Sequence, residues 1–291
     1  MLDKLPNEIG VKIFENLDKK TLCWCREVSQ LMCARANLAI SKIEELEVNG
    51  LTYIFRGNRG TLNELFQFLS LFKNVKYLSL RNLPFDITKL RLEKIAEILK
   101  HVEKLEIDEQ QSKYLEEESL FALDKFRNLT DLKIVGYTPV RTKNDNQDII
   151  PRKTLRRLKS LEISCLRKTI TLFVNDLKRK NIVMENLESV KFDFRTSNPE
   201  QPTKICEFVK AHPQLQSVEI VGMLFCSSSQ LQNVYNIIRE LENLKRVSMA
   251  KCSLIDRLDN TVQQEFEAEM KRRGVDLVSG VKSMRYGSSY I

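Results

Sequence analysis

The sequence predicts an α/β fold of stacked repeats, each with one short strand and one helix, preceded by a small all-α unit. An apolar-x-x-apolar-x-apolar pattern recurs along most of the chain, and amphipathic stretches with apolar residues three or four apart lie between its copies. The first residues of successive copies are 32, 27, 27, 29, 29, 28 and 29 residues apart. The copies are Ile43-Leu46-Val48, Val75-Leu78-Leu80, Val102-Leu105-Ile107, Leu129-Leu132-Ile134, Leu158-Leu161-Ile163, Leu187-Val190-Phe192, Leu215-Val218-Ile220 and Leu244-Val247-Met249.

This period resembles that of leucine-rich repeats, in which no single copy can bury its own apolar face and the copies must stack. We expect a solenoid of about eight or nine irregular repeats of 27–32 residues. A ninth strand is predicted at Val275 and Leu277, after an amphipathic helix over 260–273 that Gly274 ends. Of the Asn or Cys residues that follow each strand in the family, only Cys252 is present, so irregular turns are expected.

Residues 1–42 lack the repeat and predict three short helices. Pro6 is suited to be the first residue of a helix, and Ile9, Ile13 and Leu17 follow at intervals of four. Residues 21–28 and 29–37 predict two further helices, the second of them capped by Ser29. So few residues cannot form much of a core, and the segment is expected to pack against something else.

The same segment carries a dense pattern of residues, Leu5-Pro6-x-Glu8-Ile9, Ile13-Phe14, Leu17-Asp18, Leu22, Cys25-Arg26 and Val28-Ser29. This pattern resembles an F-box, the helical module that docks on a Skp-type adaptor in cullin-RING ubiquitin ligases. The chain has Met32 where the family commonly has tryptophan, and its only tryptophan, Trp24, lies earlier. The resemblance implies an F-box over 1–42 and a leucine-rich-repeat substrate-binding domain over 43–291. The residues implied to form or support the adaptor-binding surface are Leu5, Pro6, Ile9, Ile13, Leu17, Leu22 and Val28.

Composition and motifs argue against an enzyme. The two histidines, His101 and His212, share one repeat position just before a strand, and nothing groups either with a nucleophile and an acid. Phosphate-binding glycine loops and clusters of metal ligands are not found in the sequence, so we expect no catalytic residues, no metal and no cofactor. The seven scattered cysteines are interpreted as reduced thiols. Without a spanning segment or a secretory signal, a cytoplasmic or nuclear protein is expected.

The charge pattern favours a protein partner over nucleic acid. The chain carries a net charge of +8, but its basic clusters lie in predicted helices and connections without an accompanying series of aromatic residues. The outward strand positions carry an excess of negative charge, with nine acids and five bases, which would favour a substrate with a basic surface. An equally weighted alternative is cross-strand pairing, such as Lys133 with Glu106 or Glu162. The acids are Glu45, Glu47, Glu106, Asp108, Asp131, Glu162, Asp193, Glu219 and Asp276, and the bases are Arg81, Lys104, Lys133, Lys191 and Arg246.

These patterns predict a substrate-recognition adaptor of an SCF-type ubiquitin ligase. The F-box would bind the Skp-type adaptor and, through it, cullin and RING subunits, while the solenoid binds a protein substrate. Two polar connections, 137–152 and 195–203, predict exposed loops. The alternatives are a leucine-rich-repeat binding or inhibitor protein without a ubiquitin role, and an RNA-associated solenoid. The predicted substrate-binding residues are Glu106, Lys133, Glu162, Lys191 and Glu219.

Overall fold

The computed structural model describes residues 5–49, 62–83, 85–108, 117–136, 150–165, 169–194, 201–255 and 260–283. Most of the two predicted loops, 137–152 and 195–203, lies outside these ranges, and the exposure of those parts stays a prediction. The described ends of the loops differ from it, because Ile150 and Pro151 are buried and residues 201–203 lie in the helix Gln201–Lys210.

Three helices form the N-terminal unit: α1 (Asn7–Glu15), α2 (Lys19–Cys25) and α3 (Gln30–Ser41). Pro6 lies one residue before α1, at the N-cap rather than inside the helix as predicted. Ser29 caps α3 as predicted, with its hydroxyl accepting from the Met32 N–H. The second helix begins two residues earlier than predicted because the Asp18 carboxylate accepts from the backbone N–H groups of Lys20 and Thr21.

In the described residues that follow the N-terminal unit, nine parallel strands form one sheet, and each predicted strand is found in it. The strand order is β1-β2-β3-β4-β5-β6-β7-β9-β11. A small parallel sheet, β12-β10-β8, consists of β8 (Leu224–Phe225), β10 (Ser253–Leu254) and β12 (Lys282–Ser283). The large sheet contains β1 (Glu45–Asn49), β2 (Tyr77–Arg81), β3 (Lys104–Asp108), β4 (Asp131–Val135), β5 (Ser160–Cys165), β6 (Ser189–Phe194), β7 (Ser217–Val221), β9 (Arg246–Ala250) and β11 (Asp276–Ser279).

Helices lie between successive strands and pack against one another in chain order, forming a second layer. Leu120 and Leu123 lie in a 3₁₀ helix. The helix Arg152–Arg157 was not predicted, because Leu155 is the main apolar side chain that it buries. This solenoid-like arrangement has the strand and helix of each turn stacked on the next. The helices are α4 (Leu62–Leu69), α5 (Lys89–Ile98), the 3₁₀ helix (Glu117–Lys125), α6 (Arg152–Arg157), α7 (Thr169–Arg179), α8 (Gln201–Lys210), α9 (Ser228–Arg239) and α10 (Asn260–Arg272).

The N-terminal helices and the sheet share one hydrophobic core. Phe14, Leu22 and Ile40 belong to the same buried cluster as Leu46 and Val48 of β1. All five side chains are at most 2% exposed. Burial of a large apolar side chain stabilises the folded state by about 1.5–3 kcal/mol, so these contacts fix the helical unit against the first strand.

The turns after the strands repeat a left-handed backbone conformation. Asn82, Gly136, Gly222 and Lys251 each follow a strand of the large sheet directly and have positive φ angles of 48°, 80°, 71° and 56°. Two of the four are glycine, the residue that adopts this conformation without steric cost. Cys252 lies in the last of these turns, and its buried thiol donates to the Ile220 carbonyl oxygen at 3.5 Å. Burial raises the pKa of this thiol to about 11.

Side-chain amides connect successive turns just before the strands. Asn74 donates to the Ser41 carbonyl at 2.7 Å, Asn128 to the Lys100 carbonyl at 3.2 Å, and Asn186 to the Arg156 carbonyl at 2.6 Å. Each donor lies three residues before its strand, and each acceptor lies four residues before the strand of the preceding turn. These bonds therefore hold equivalent backbone positions of neighbouring turns together.

We predict that Gly222→Ala lowers the free energy of unfolding more than Gly274→Ala does. Both glycines have positive φ, 71° and 70°, so alanine costs about 1–2 kcal/mol of backbone strain at either position. A Cβ at Gly222 would also lie 2.5 Å from the Phe194 carbonyl oxygen, whereas one at Gly274 meets nothing within 4 Å. Urea denaturation of both variants measures the difference, and equal losses would contradict the close contact.

Candidate functional site

Exposed apolar side chains are concentrated on the three N-terminal helices. Ile9 and Ile13 are 49% and 38% exposed on α1, whereas Phe14 on the same helix is 1% exposed and faces the core. We call five of the exposed residues, Ile9, Ile13, Trp24, Val28 and Leu31, the apolar helical patch; Leu38 of α3 is exposed as well. A group of exposed apolar residues on packed helices is typical of a protein-binding surface.

The predicted adaptor-binding residues differ in their exposure to solvent. Leu22 is only 1% exposed, so its side chain lies in the core. The exposed members are Pro6, Ile9, Ile13 and Val28, and the half-buried members are Leu5 and Leu17.

A buried arginine positions the segment that leads into α1. Arg35 of α3 is 2% exposed, and its guanidinium donates to the Leu5 carbonyl oxygen at 2.7 Å and to the Asn7 side-chain oxygen at 3.2 Å. Gly10 makes room for it, because a Cβ at that position would lie 2.5 Å from the Arg35 Nε. We call these contacts the Arg35 bridge. Sequence reasoning missed it, although a glycine inside a helix is a signal of close packing.

The two residues that differ from the F-box pattern lie in different environments. Met32 is half-buried and packs against the core, so it fills space between the helices. Trp24 is 53% exposed, and the Lys20 ammonium lies 4.6 Å from its ring centroid. Trp24 therefore presents a large aromatic surface to solvent. Sequence reasoning did not include Trp24 among the binding residues.

A cleft of about 960 Å³ is lined by residues of the helical unit and by residues at the start of the sheet. Leu17, Leu22 and Ile43 contribute apolar lining, and Lys19 is among the charged residues around it. Burial lowers the pKa of Lys19, and the opposing charges of Glu47 and Glu45 only partly offset that effect.

The predicted substrate-binding residues form a continuous row of alternating charge across five strands. Register places Glu106, Lys133, Glu162, Lys191 and Glu219 side by side. The two lysines each pair with the acids on both sides, at 3.3 and 3.5 Å for Lys133 and at 3.5 and 3.4 Å for Lys191. We call this row the charge ladder. The prediction of cross-strand pairing by Lys133 is confirmed for both of its suggested partners.

Glu106 is the most buried member of the charge ladder, with its side chain 5% exposed. The Tyr77 hydroxyl donates to its carboxylate at 2.7 Å and the Arg81 guanidinium at 3.0 Å. Burial opposes ionisation of Glu106, but the bonds from Tyr77 and Arg81 and the charge of Lys133 outweigh it and hold the pKa below its usual value. The Glu106 carboxylate is therefore engaged by partners within the sheet. The other four members are 22–35% exposed and remain accessible.

Neither histidine is part of a catalytic group in the described ranges. His212 is 1% exposed; its Nε2 accepts from the Met184 N–H at 3.2 Å, which leaves Nδ1 to donate to the Phe208 carbonyl at 2.7 Å. Burial lowers its pKa, more than the Phe208 bond raises it, so the ring is held neutral as a packing element. His101 is exposed and lies three residues before the start of β3.

The described residues were also compared with the requirements of a metal site, a disulfide and a membrane span. No group of three or more His, Cys, Asp or Glu side chains is placed to hold a metal ion in the ranges that the structure covers. Among the side chains that the structure describes, six cysteines are free thiols: Cys23, Cys25, Cys33, Cys206, Cys226 and Cys252. Across the same ranges, every helix is too short or too polar to cross a lipid bilayer.

Comparison with known proteins identifies the N-terminal helices. A search of curated proteins finds no match. One solved structure that the chain matches is a Bacteroides fragilis protein, which is 14% identical, with 85% of this chain and 68% of that chain covered and a TM-score of 0.41. Residues 2–38 match the family model of the F-box domain. They include α1, α2 and most of α3, and therefore the whole apolar helical patch and the Arg35 bridge. The chain thus carries an F-box domain at its N-terminal helices.

Proposed function

We propose that this chain is the substrate-recognition subunit of an SCF-type ubiquitin ligase. The F-box domain docks on a Skp-type adaptor, which connects the chain to cullin and RING subunits. The strands and helices of residues 43–291, which we call the strand-helix domain, bind the protein substrate. The match of residues 2–38 to the F-box domain carries this proposal. The apolar helical patch supports it, because docking would bury side chains that the isolated chain exposes to water.

The shared core suits such a receptor. Phe14, Leu22 and Ile40 of the F-box helices pack in one cluster with β1, so a substrate on the sheet would be held at a set position relative to the adaptor. Ubiquitin transfer would then be favoured by proximity, and the bond chemistry would be supplied by other subunits of the complex. In this proposal the chain itself is not an enzyme.

The strand-helix domain fits a leucine-rich-repeat domain over 43–291, with the F-box over 1–42. The period of 27–32 residues and the strand at each copy support this assignment. The short connection between α3, which ends at Ser41, and β1, which begins at Glu45, supports a boundary there.

We propose that the substrate contacts the accessible part of the charge ladder. Lys133, Glu162, Lys191 and Glu219 are partly exposed, whereas Glu106 holds the ladder in place. The ladder lysines neutralise part of the acidic excess that led us to expect a basic substrate. That expectation now depends on outward acids beyond the ladder, such as Glu45 and Glu47, and it stays a proposal, as does a cytoplasmic or nuclear location.

We predict that the Ile9→Glu, Ile13→Glu double variant loses binding to a Skp-type adaptor. Both side chains are exposed, so the charges should not disturb the core but would have to be buried on docking. Co-purification and titration with the adaptor should show at least about a tenfold loss of affinity. Leu90→Glu is the matched control, because Leu90 is an apolar side chain 76% exposed on α5, outside the F-box.

Two results would count against this proposal. If the wild-type chain folds and does not bind the adaptor, a leucine-rich-repeat scaffold without a ubiquitin role becomes the better account. If the double variant binds as well as wild type, docking uses a different surface.

We further predict that Arg35→Met weakens adaptor binding by about tenfold, because Leu5 and Pro6 would no longer be held in position. Methionine keeps much of the buried volume but cannot donate to the Leu5 carbonyl at the start of the docking segment. Gly10→Ala should act in the same direction because its Cβ would displace Arg35. Arg35→Lys, which keeps a donor, should restore part of the affinity. Equal binding by wild type and Arg35→Met, measured by titration, would show that the Arg35 bridge has only a structural role.

A further inference from the structure

We propose that four cations along one edge of the large sheet bind an extended acidic segment of a protein partner. We call Lys73, Lys100, Arg127 and Arg156 the basic row. The inference does not depend on the adaptor role, because the row lies outside the F-box domain.

The strand register places the four cations at equivalent positions of consecutive turns. Tyr77, Lys104, Asp131 and Ser160 are aligned partners on β2, β3, β4 and β5. Each member of the basic row lies four residues before one of them. The amide bonds from Asn128 to the Lys100 carbonyl and from Asn186 to the Arg156 carbonyl tie the row's own backbone to the following turns.

All four side chains are exposed, and none has an ion pair within the described ranges. This distinguishes them from the charge ladder, where each lysine has two carboxylate partners. The dipole of α6 favours a cation at Arg156, which lies in the last turn of that helix, but it cannot account for Lys73, which lies four residues beyond the end of α4. Their positive charge is therefore available to a partner.

The cationic run is confined to four successive turns. At the corresponding position the other turns carry Ser41 before β1, then Glu185, Pro213, Glu242 and Arg272. Three further exposed cations, Lys125, Lys153 and Lys159, lie two or three residues along the sequence from a member of the row. One exposed acid, Glu103, lies at a similar distance from Lys100. A segment bound along this edge would thus meet positive charge over β2 to β5 and negative charge beyond it.

The dimensions favour a short extended peptide. Neighbouring strands lie about 4.8 Å apart, so the row spans about 14 Å, the reach of four or five extended residues. Nucleic acid fits less well, because no Phe, Tyr or Trp side chain among the described residues of these turns is exposed for base stacking. Carboxylates at successive positions of a peptide would match the charge of the row.

The test uses the full chain and a fluorescein-labelled, Glu-rich peptide of about 12 residues, with a Lys-rich peptide and an oligothymidine of similar length as comparison probes. Fluorescence anisotropy at low and high salt measures binding. The variant Lys73→Gln, Lys100→Gln, Arg127→Gln, Arg156→Gln removes the row. The matched control removes four exposed cations elsewhere, Lys210→Gln, Lys271→Gln, Arg272→Gln and Lys282→Gln.

We expect the Glu-rich peptide to bind at low salt, the row variant to lose at least about tenfold in affinity and the control variant to stay within about twofold. Equal losses in the two variants would show general charge attraction and overturn the proposal. So would tighter binding of oligothymidine than of the peptide, or no binding of the Glu-rich peptide by the wild-type chain. Adaptor binding should be the same in all three chains, so failure here is distinguishable from failure of the F-box proposal.

Discussion

The parallel strand register is the constraint on which the rest of the structure depends. One turn has too little apolar surface to fold alone, so each turn is stable only against its neighbours. The inward residues of nine strands join one core, and the first strand is covered by Phe14, Leu22 and Ile40 of the F-box helices. The F-box domain therefore has two roles in this chain: its buried face closes the first turn, and its opposite face is left exposed.

The same register determines how the surface charges are arranged. Because equivalent positions of successive turns lie side by side, a residue type repeated at one position becomes a row. Alternating signs produce the charge ladder, whose members neutralise one another from Glu106 to Glu219. Repetition of one sign produces the basic row from Lys73 to Arg156. The net charge of the chain therefore says less about partners than the position of each charge within its turn.

The strands and the F-box helices were predictable because they depend on local spacing. Apolar residues at fixed intervals located all nine strands, and Ser29 identified the start of α3. The Arg35 bridge was not predictable, because Arg35 and Leu5 are 30 residues apart and their contact depends on how α1 packs on α3. For the charge ladder, the sequence offered substrate contact and mutual pairing as equal alternatives. Side-chain distances show the pairing, and contact with a substrate stays a proposal.

Hydrogen–deuterium exchange of the full chain, alone and with a Skp-type adaptor, shows whether the adaptor binds the F-box helices and leaves the sheet free. We expect slower exchange in α1 and over residues 24–31 when the adaptor is bound. We expect unchanged exchange in β2 to β9, which would remain free for a substrate. Protection concentrated in those strands, with none in α1, would contradict the assignment of the two surfaces.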